Sequence, residues 1–335
     1  HVVAHAGDLV VDRVVRVVVR TGVAQARWAA DQHILQAGDV ERVSENGGAQ
    51  GNAPSVESAV SNDGRLVLFT SRATNFTADA TDGALHLFLK DRVTGTITRI
   101  DNPVDPRGGS ARELGIAAIS GDGTQVVYTS RNSADESGRA EILRKHDVAT
   151  GFEEELERYQ SVGSVRAIAV SDDSNRIVVE ATSRASSSRL GGVSTGIYEY
   201  DDDSWNTVSA SAEEPDGSGR APSVSGDGRY AVYTSSSTNL VPGLTLNARH
   251  VPNTAEAEDV YRTDLVTRET VLVSGATPGS AATTDGFGNR TIGSRQAISR
   301  DGSKVVFKTQ AGAENFGGGG VTDRNGSLGE DAILA

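Results

Sequence analysis

A short motif, Ser-x-Asp-Gly, recurs along the chain between two runs of apolar residues and constrains the fold more than any other feature. Three near copies begin at Ser61, Ser120 and Ser225, and two looser copies begin at Ser171 and Ser299. The motif aspartates stand 59, 51, 54 and 74 residues apart. A repeat of this length indicates an array in which each copy is one supersecondary unit with loops of variable length.

Each copy predicts a β-hairpin, because the Asp side chain binds the local backbone and Gly accepts a positive φ between two apolar strands. A second hairpin follows the first. Its turn reads Asp-x-x-Thr-Gly at 91–95 and 147–151, with variants at 201–204 and 264–268. Four strands in two consecutive hairpins form one blade of a β-propeller.

These blades resemble the WD-like repeats of TolB-type six-bladed propellers, which occur in many secreted and periplasmic bacterial proteins. The resemblance covers about residues 40–335 and rests on the pairing of the two turn motifs. It implies an all-β fold and an extracytoplasmic location. The chain is then one domain, 1–335, whose six blades lie at about residues 1–50, 54–103, 113–158, 165–211, 221–275 and 292–335. A β-sandwich or a β-solenoid is the alternative fold.

The two ends of the chain bear on how the ring closes. Residues 330–334 align with 258–262, so the sequence ends in the third strand of its last blade, while 32–36 and 40–44 resemble the third and fourth strands of the first. In one reading, the strand-like segment 9–19 completes the last blade and leaves no free sheet edge. In the other, residues 2–8 form a degenerate first hairpin and the last blade has lost a strand. The sequence leaves both open.

Composition excludes several classes of function. The formal net charge of −13 and the absence of a basic stripe argue against a nucleic-acid partner. Without cysteine, the chain has no disulfide, no thiolate metal site and no cysteine nucleophile. No apolar run reaches the length of a membrane span. The chain begins at His1 and contains no Met, which is consistent with a removed secretion signal or with a piece of a longer product.

Long segments between the second and third strands are the predicted place for ligand contacts, since propellers carry working groups in loops at one end of the channel. Two such segments span 236–257 and 310–329. In the first, Asn247, Arg249 and His250 are the candidate binding residues, because Arg and His can meet an anion or move a proton. An ordinary solvated loop is the competing interpretation.

Oxygen-rich turns offer a candidate calcium site. Asp323 and Asn325 stand beside a Gly and near Asp331, and a weaker version combines Asp79 with Asp82. Calcium prefers several oxygen ligands on a loop that turns at Gly. Neither segment has the complete EF-hand pattern, and a metal-free Asx turn explains each of them equally well. Calcium is therefore a possible cofactor, and none is required.

The repeated aspartates themselves are predicted to be structural, because a catalytic group is rarely needed once per repeat. They are Asp63, Asp122, Asp173, Asp227 and Asp301.

A binding or scaffold module is the function that this sequence favours, with a protein, cell-surface glycan or other cell-envelope ligand as its partner. The alternative is a propeller enzyme, a hydrolase or lyase acting on a glycan, lactone or peptide with loop residues at the channel mouth. The fold by itself does not separate the two.

Overall fold

A computed structural model describes residues 16–17, 40–101, 113–131, 141–159, 165–183, 194–201, 204–209, 217–243, 258–274, 290–291, 297–309 and 331–334. Every helix or strand in these ranges is a β-strand. Over the same ranges, no helix is long and apolar enough to cross a membrane.

The chain begins with two small antiparallel pairs, which belong to the predicted blade 1. The strand β1 (Arg16–Val17) pairs with β2 (Glu41–Arg42), and β3 (Glu45–Asn46) pairs with β4 (Ala49–Gln50). The predicted third strand of this blade, 32–36, lies outside the described residues.

Four sheets of four antiparallel strands follow, each with its strands in chain order. We number them blades 2 to 5. Blade 2 contains β5 (Ser55–Val60), β6 (Leu66–Ser71), β7 (His86–Asp91) and β8 (Ile97–Arg99). Blade 3 contains β9 (Glu113–Ile119), β10 (Gln125–Arg131), β11 (Glu141–Asp147) and β12 (Glu153–Tyr159). Blade 4 contains β13 (Val165–Val170), β14 (Ile177–Ser183), β15 (Ser194–Asp201) and β16 (Ser204–Thr207). Blade 5 contains β17 (Gly219–Val224), β18 (Tyr230–Ser235), β19 (Asp259–Asp264) and β20 (Thr270–Leu272).

Blade 6 is a sheet of three strands. It contains β21 (Arg290–Thr291), β22 (Val306–Thr309) and β23 (Asp331–Leu334), with a further bridge between Ile298 and Val305. The predicted third strand at 330–334 is therefore present as β23. Within the described ranges no fourth strand pairs with β23, and the two modes of ring closure remain predictions.

Side chains on the second strand of each blade pack in alternation against the blades on either side. On β6, Val67 and Phe69 join a cluster with Val43 of blade 1, whereas Leu68 joins a cluster with Ile119 and Tyr128 of blade 3. Successive residues of a strand point to opposite faces, so this alternation buries both faces of the sheet. It explains why these strands are almost continuously apolar.

The five apolar core clusters lie one at each junction between consecutive blades, from blades 1 and 2 to blades 5 and 6. Each fully buried Val, Leu, Ile or Phe contributes about 1.5–3 kcal/mol. The first strands of neighbouring blades also contact each other, as expected for strands that line a common channel. The fold is an all-β propeller of four-stranded antiparallel blades, and the count of six blades remains a prediction because most of residues 1–50 are not described.

Candidate functional site

The Ser-x-Asp-Gly turns all lie on one face of the disc, which we call the turn face. Antiparallel strands reverse direction at each connection, so the connections between second and third strands lie on the opposite face, the loop face. In each turn the Ser hydroxyl donates to the Asp carboxylate over 2.5–2.8 Å. The Asp also accepts the backbone N–H two residues ahead. These contacts confirm the predicted hairpins and the structural role of the repeated aspartates.

Backbone hydrogen bonds connect the turns of successive blades into a belt around the channel. The Asn62 N–H donates to the carbonyl of Gly121 over 2.8 Å, and the Asp172 N–H donates to that of Gly226 over 2.9 Å. In the same way, the Asp122 N–H donates to the carbonyl of Asp172, and the Asp227 N–H donates to that of Arg300. In every case the acceptor is the x residue of the next Ser-x-Asp-Gly turn. The belt therefore places the five x residues around the mouth of the channel.

Among the x residues, polar or charged residues alternate with glycine: Asn62, Gly121, Asp172, Gly226 and Arg300. The amide Nδ2 of Asn62 donates to Asp172 Oδ1 over 2.7 Å. On the other side, Arg300 Nε forms an ion pair with Asp172 Oδ2 at 2.8 Å. Three blades that are not neighbours, numbers 2, 4 and 6, thus meet through their side chains across the mouth.

Glycine at the two intervening positions makes this meeting possible. A methyl group on Gly121 would overlap Asp172 Oδ1 and Asn62 Nδ2. One on Gly226 would overlap Asp172 Oδ2 and the Arg300 side chain. Blades 3 and 5 therefore leave room for the side chains that reach across from blades 2, 4 and 6.

The mouth is a concave site with a volume of about 470 Å³. Its walls combine the five x residues with the apolar residue that precedes each motif serine, namely Val60, Ile119, Val170, Val224 and Ile298. Polar groups that converge on a concave surface beside apolar residues are a common feature of ligand sites.

Carboxylates surround this site. The five motif aspartates are exposed on the turn face, each adjacent in sequence to an x residue, and Asp172 adds a sixth carboxylate. Hydrogen bonds from Ser299 and Ser303 lower the pKa of Asp301. Burial raises the pKa of Asp173, but hydrogen bonds from Ser171 and Asn175 outweigh burial and lower it overall. Arg300 is the one cation among the x residues, and the exposed Arg65 and Arg229, which follow two of the turns, pair with Asp91 and Asp264.

A second polar cluster, the His86 cluster, lies within blade 2 and consists of Asp82, His86, Arg99 and Asp101. His86 Nδ1 is 2.9 Å from Asp101 Oδ2, and its Nε2 is 2.6 Å from Asp82 Oδ1. Arg99 Nη2 pairs with Asp101 Oδ2 at 3.1 Å. Asp101 also accepts the N–H of Leu87 over 2.8 Å, which fixes the start of β7 to the end of the blade.

Three side chains of this cluster are almost fully buried. His86, Arg99 and Asp101 are each at most 4% exposed. Burial by itself lowers the pKa of His86, but the hydrogen bonds to Asp101 and Asp82 outweigh it and raise the pKa overall. The hydrogen bond from His86 and that from the Ala84 N–H lower the pKa of Asp82. The cluster is an internal charge network that holds the loop-face end of blade 2.

Two of the residues predicted for calcium binding belong to this region. The Asp82 carboxylate accepts from His86 and from the N–H of Ala84, and the Asp79 carbonyl accepts from Arg99 Nη1 over 2.6 Å. Over the described ranges, no group of three or more His, Asp or Glu is arranged to hold a metal ion. Calcium remains a prediction.

The other predicted site residues lie outside the part of the chain whose side chains the structure describes. Asn247, Arg249, His250, Asp323 and Asn325 lie outside the described residues, and Asp331 is described only as part of the backbone of β23. The binding and calcium predictions that rest on them are therefore neither confirmed nor contradicted.

The mouth residues Asn62, Asp172 and Arg300 were missed by sequence reasoning. The repeat drew attention to its constant Ser, Asp and Gly, while these three occupy its variable position. The signal available in the sequence was the alternation itself, in which Gly separates a long polar side chain from the next along the ring.

No protein-family model matches this chain, and no curated protein matches it either. Among solved structures, it is similar to TolB from Acinetobacter baumannii, with 16% identity, a TM-score of 0.46 and coverage of 82% of this chain and 52% of that one. It is also similar to the putative TolB from Agrobacterium tumefaciens, with 14% identity, a TM-score of 0.45 and coverage of 81% and 73%. The β-propeller domain of the Trilobed protease from Pyrococcus furiosus shares 11% identity, with a TM-score of 0.48 and coverage of 84% and 69%.

The chain spans about half the length of the Acinetobacter TolB. At these identities the likenesses concern the fold alone, a TolB-like β-propeller, in agreement with the sheets and interblade clusters described above. They assign no ligand and no activity to this chain.

Proposed function

We propose that this propeller is a binding or scaffold module, and that a protein or cell-envelope ligand docks at the channel mouth of the turn face. The observation that carries this proposal is the convergence of Asn62, Asp172 and Arg300 from three separate blades on one concave site. Convergent polar groups in a concave site give a ligand a defined orientation.

The chemistry of the mouth favours recognition over reaction. Asn62 is a neutral amide and Arg300 is a permanent cation, so Asp172 is the one titratable acid or base among the x residues. The nearby motif serines are also unsuited to act as nucleophiles. Ser61 Oγ, for example, donates to Asp63 and accepts the N–H of Leu66, and the same pair of bonds recurs in the other turns. These hydroxyl groups are committed to the hairpin.

The alternative enzyme would use groups of the loop face, such as Arg249 and His250. Those residues lie outside the described ranges, and no contact among the described residues favours that function. The expected location is extracytoplasmic, secreted or periplasmic, and it rests on the resemblance to TolB-type repeats.

A blocked-mouth variant tests the proposal. Gly121→Arg places a long side chain in the hollow, whereas Val266→Arg adds the same side chain to an outer turn of the same face, where Val266 is 68% exposed. The immobilised protein is exposed to the envelope and secreted fractions of the producing cells, and bound material is eluted by an excess of free protein.

We expect saturable retention of a defined ligand by the wild type, by Val266→Arg and by Gly121→Ala, and its loss in Gly121→Arg, whose melting temperature should fall no further than that of Gly121→Ala. Equal retention by the two arginine variants would place the docking surface elsewhere. Turnover of glycoside, lactone or peptide substrates by the purified wild type would instead support the enzyme.

A further inference from the structure

The ion pair at the mouth joins a well-held anion to a loosely held cation. The Asp172 side chain is 18% exposed and accepts a hydrogen bond from Asn62 Nδ2. Its backbone N–H and carbonyl both form hydrogen bonds of the belt. The Arg300 side chain that faces it is 80% exposed. An exposed ion pair contributes about 0–1 kcal/mol, because solvent screens it and both side chains lose rotamer freedom. Arg300 is therefore readily displaced, while Asp172 stays in place.

The charge around this pair selects the sign of a ligand. Asp172 and the five exposed motif aspartates lie on the turn face, the arginines that follow these turns, Arg65, Arg176 and Arg229, are paired with other carboxylates, and the chain as a whole carries −13. A concave surface lined by one sign of charge concentrates the opposite sign. A ligand carboxylate that paired with Arg300 would lie beside Asp172, whereas a ligand cation could pair with Asp172 on the surface of an acidic chain.

The walls of the site select the kind of cation. Five apolar residues line the site: Val60 and Val170 are half-buried, and Ile119, Val224 and Ile298 are buried. A Lys or Arg side chain lays its methylene stem along apolar surface while its charged end stays with a polar partner. The volume of about 470 Å³ is at the lower end of the range for ligand pockets, enough for a side chain and its flanking residues.

We propose that the turn-face mouth binds a Lys or Arg side chain of an extended polypeptide partner, which pairs with Asp172 and takes the place of Arg300. Arg300 is then an internal stand-in for the ligand, and Asn62 is a positioning residue that holds the Asp172 carboxylate. Gly121 and Gly226 provide the space through which the partner's side chain enters. This inference rests on the proposed binding function and specifies what the mouth recognises.

The test uses two acetylated and amidated five-residue peptides, Gly-Val-Lys-Val-Gly and its counterpart with Glu in place of Lys. Each is titrated into the full chain while the backbone amide resonances of Gly121 and Gly226 are followed by NMR. We expect the Lys peptide alone to shift these resonances, with an affinity that falls as salt is added.

Two substitutions should move the affinity for the Lys peptide in opposite directions. Arg300→Gln removes the internal competitor and should tighten binding by about threefold to fivefold, the size of an exposed ion pair. Asp172→Asn keeps the shape of the acceptor without its charge and should weaken binding by at least about tenfold. Arg65→Gln, which breaks an exposed pair with Asp91 on the same face, is the matched control and should leave the affinity unchanged.

Weaker binding of the Lys peptide in Arg300→Gln, or a Glu peptide that binds the wild type and is lost in Arg300→Gln, would overturn the inference. So would equal affinities in wild type and Asp172→Asn when both have the same melting temperature. If the immobilised chain retains a ligand that Gly121→Arg loses while the Lys peptide shifts nothing, the proposed docking at the mouth stands and this inference alone fails.

Discussion

The mouth and the His86 cluster each contain an ion pair between an arginine and an aspartate, but the two pairs differ in burial and in role. At the mouth, Asn62, Asp172 and Arg300 come from three blades and the cation is 80% exposed. In blade 2, His86, Arg99 and Asp101 belong to one sheet and are at most 4% exposed. Burial makes a broken ion pair costly, because the remaining charge has lost its water. The buried cluster therefore fixes a blade, whereas the mouth can exchange one of its partners.

The largest expected effect comes from removing the central acid of each region. Asp101→Ala leaves Arg99 buried without its carboxylate and the Leu87 N–H uncapped, and should lower the free energy of unfolding by about 3–5 kcal/mol. Asp172→Ala should lower it by about 1 kcal/mol, because its partners regain water. Urea unfolding of both variants measures the two values. Equal losses would remove the distinction between the regions.

Local interactions within one repeat could be predicted from the sequence. The motif turn at Ser61 and the second turn at Asp91 formed as expected, since their contacts join residues two to five positions apart. Proximity across the ring could not be predicted. Asn62 and Asp172 are 110 residues apart and meet only because the ring brings blades 2 and 4 to one mouth.

His86 illustrates a different limit. In the sequence, His86 lies on a third strand of the repeat, where an ordinary strand position is expected, and Asp79 with Asp82 indicates an oxygen-rich turn. The charge network arises because Asp101, beyond the end of β8, folds back on the start of β7. In blades 4 and 5 the residues equivalent to Asp101 are Ser209 and Ser274, whose hydroxyls accept the corresponding backbone N–H. Blade 2 therefore has a charged residue at a position where the other two have a neutral one, and a buried charge needs a partner.

The second prediction concerns pH. The pKa of His86 is raised in the folded chain, so its contribution to stability is complete below about pH 6.5, the unfolded value, and is lost as the pH rises through the folded pKa. Unfolding free energies measured from about pH 6 to about pH 9 should therefore decline in the wild type relative to His86→Gln.

The mouth should behave differently over this range. No histidine lines the mouth among the described residues, so Asp172→Asn should leave the pH slope unchanged. A slope that persists in His86→Gln would show that another group carries it.

The third prediction tests the packing of the mouth. Gly121→Ala should push Asn62 away from Asp172 and lower the free energy of unfolding by about 1 kcal/mol, the value of one hydrogen bond. Gly226→Ala is the matched variant, which crowds the Arg300 side of Asp172 instead. The side-chain amide resonances of Asn62 should shift in Gly121→Ala much more than in Gly226→Ala. Identical shifts in the two would contradict the arrangement described.

The smallest effect concerns the turn of blade 4. Ser174 occupies the position taken by Gly in the other turns and has a φ of 62°, against 73° for Gly64. Ser174→Gly should raise the free energy of unfolding by about 0.5–1 kcal/mol, because Gly adopts this conformation without a side-chain clash. Gly64→Ser should lower it by a similar amount. Thermal unfolding of the reciprocal pair checks both signs, and a destabilised Ser174→Gly would argue against the strain.

The most direct measurement of how the mouth works is a crystal structure of the chain with the Lys peptide bound. We expect the lysine Nζ at hydrogen-bonding distance from the Asp172 carboxylate, which Asn62 still holds, and the Arg300 side chain turned away into solvent. An Arg300–Asp172 pair that remains intact, with the peptide bound at the loop face or with its terminus beside Arg300, would contradict the exchange of one cation for another.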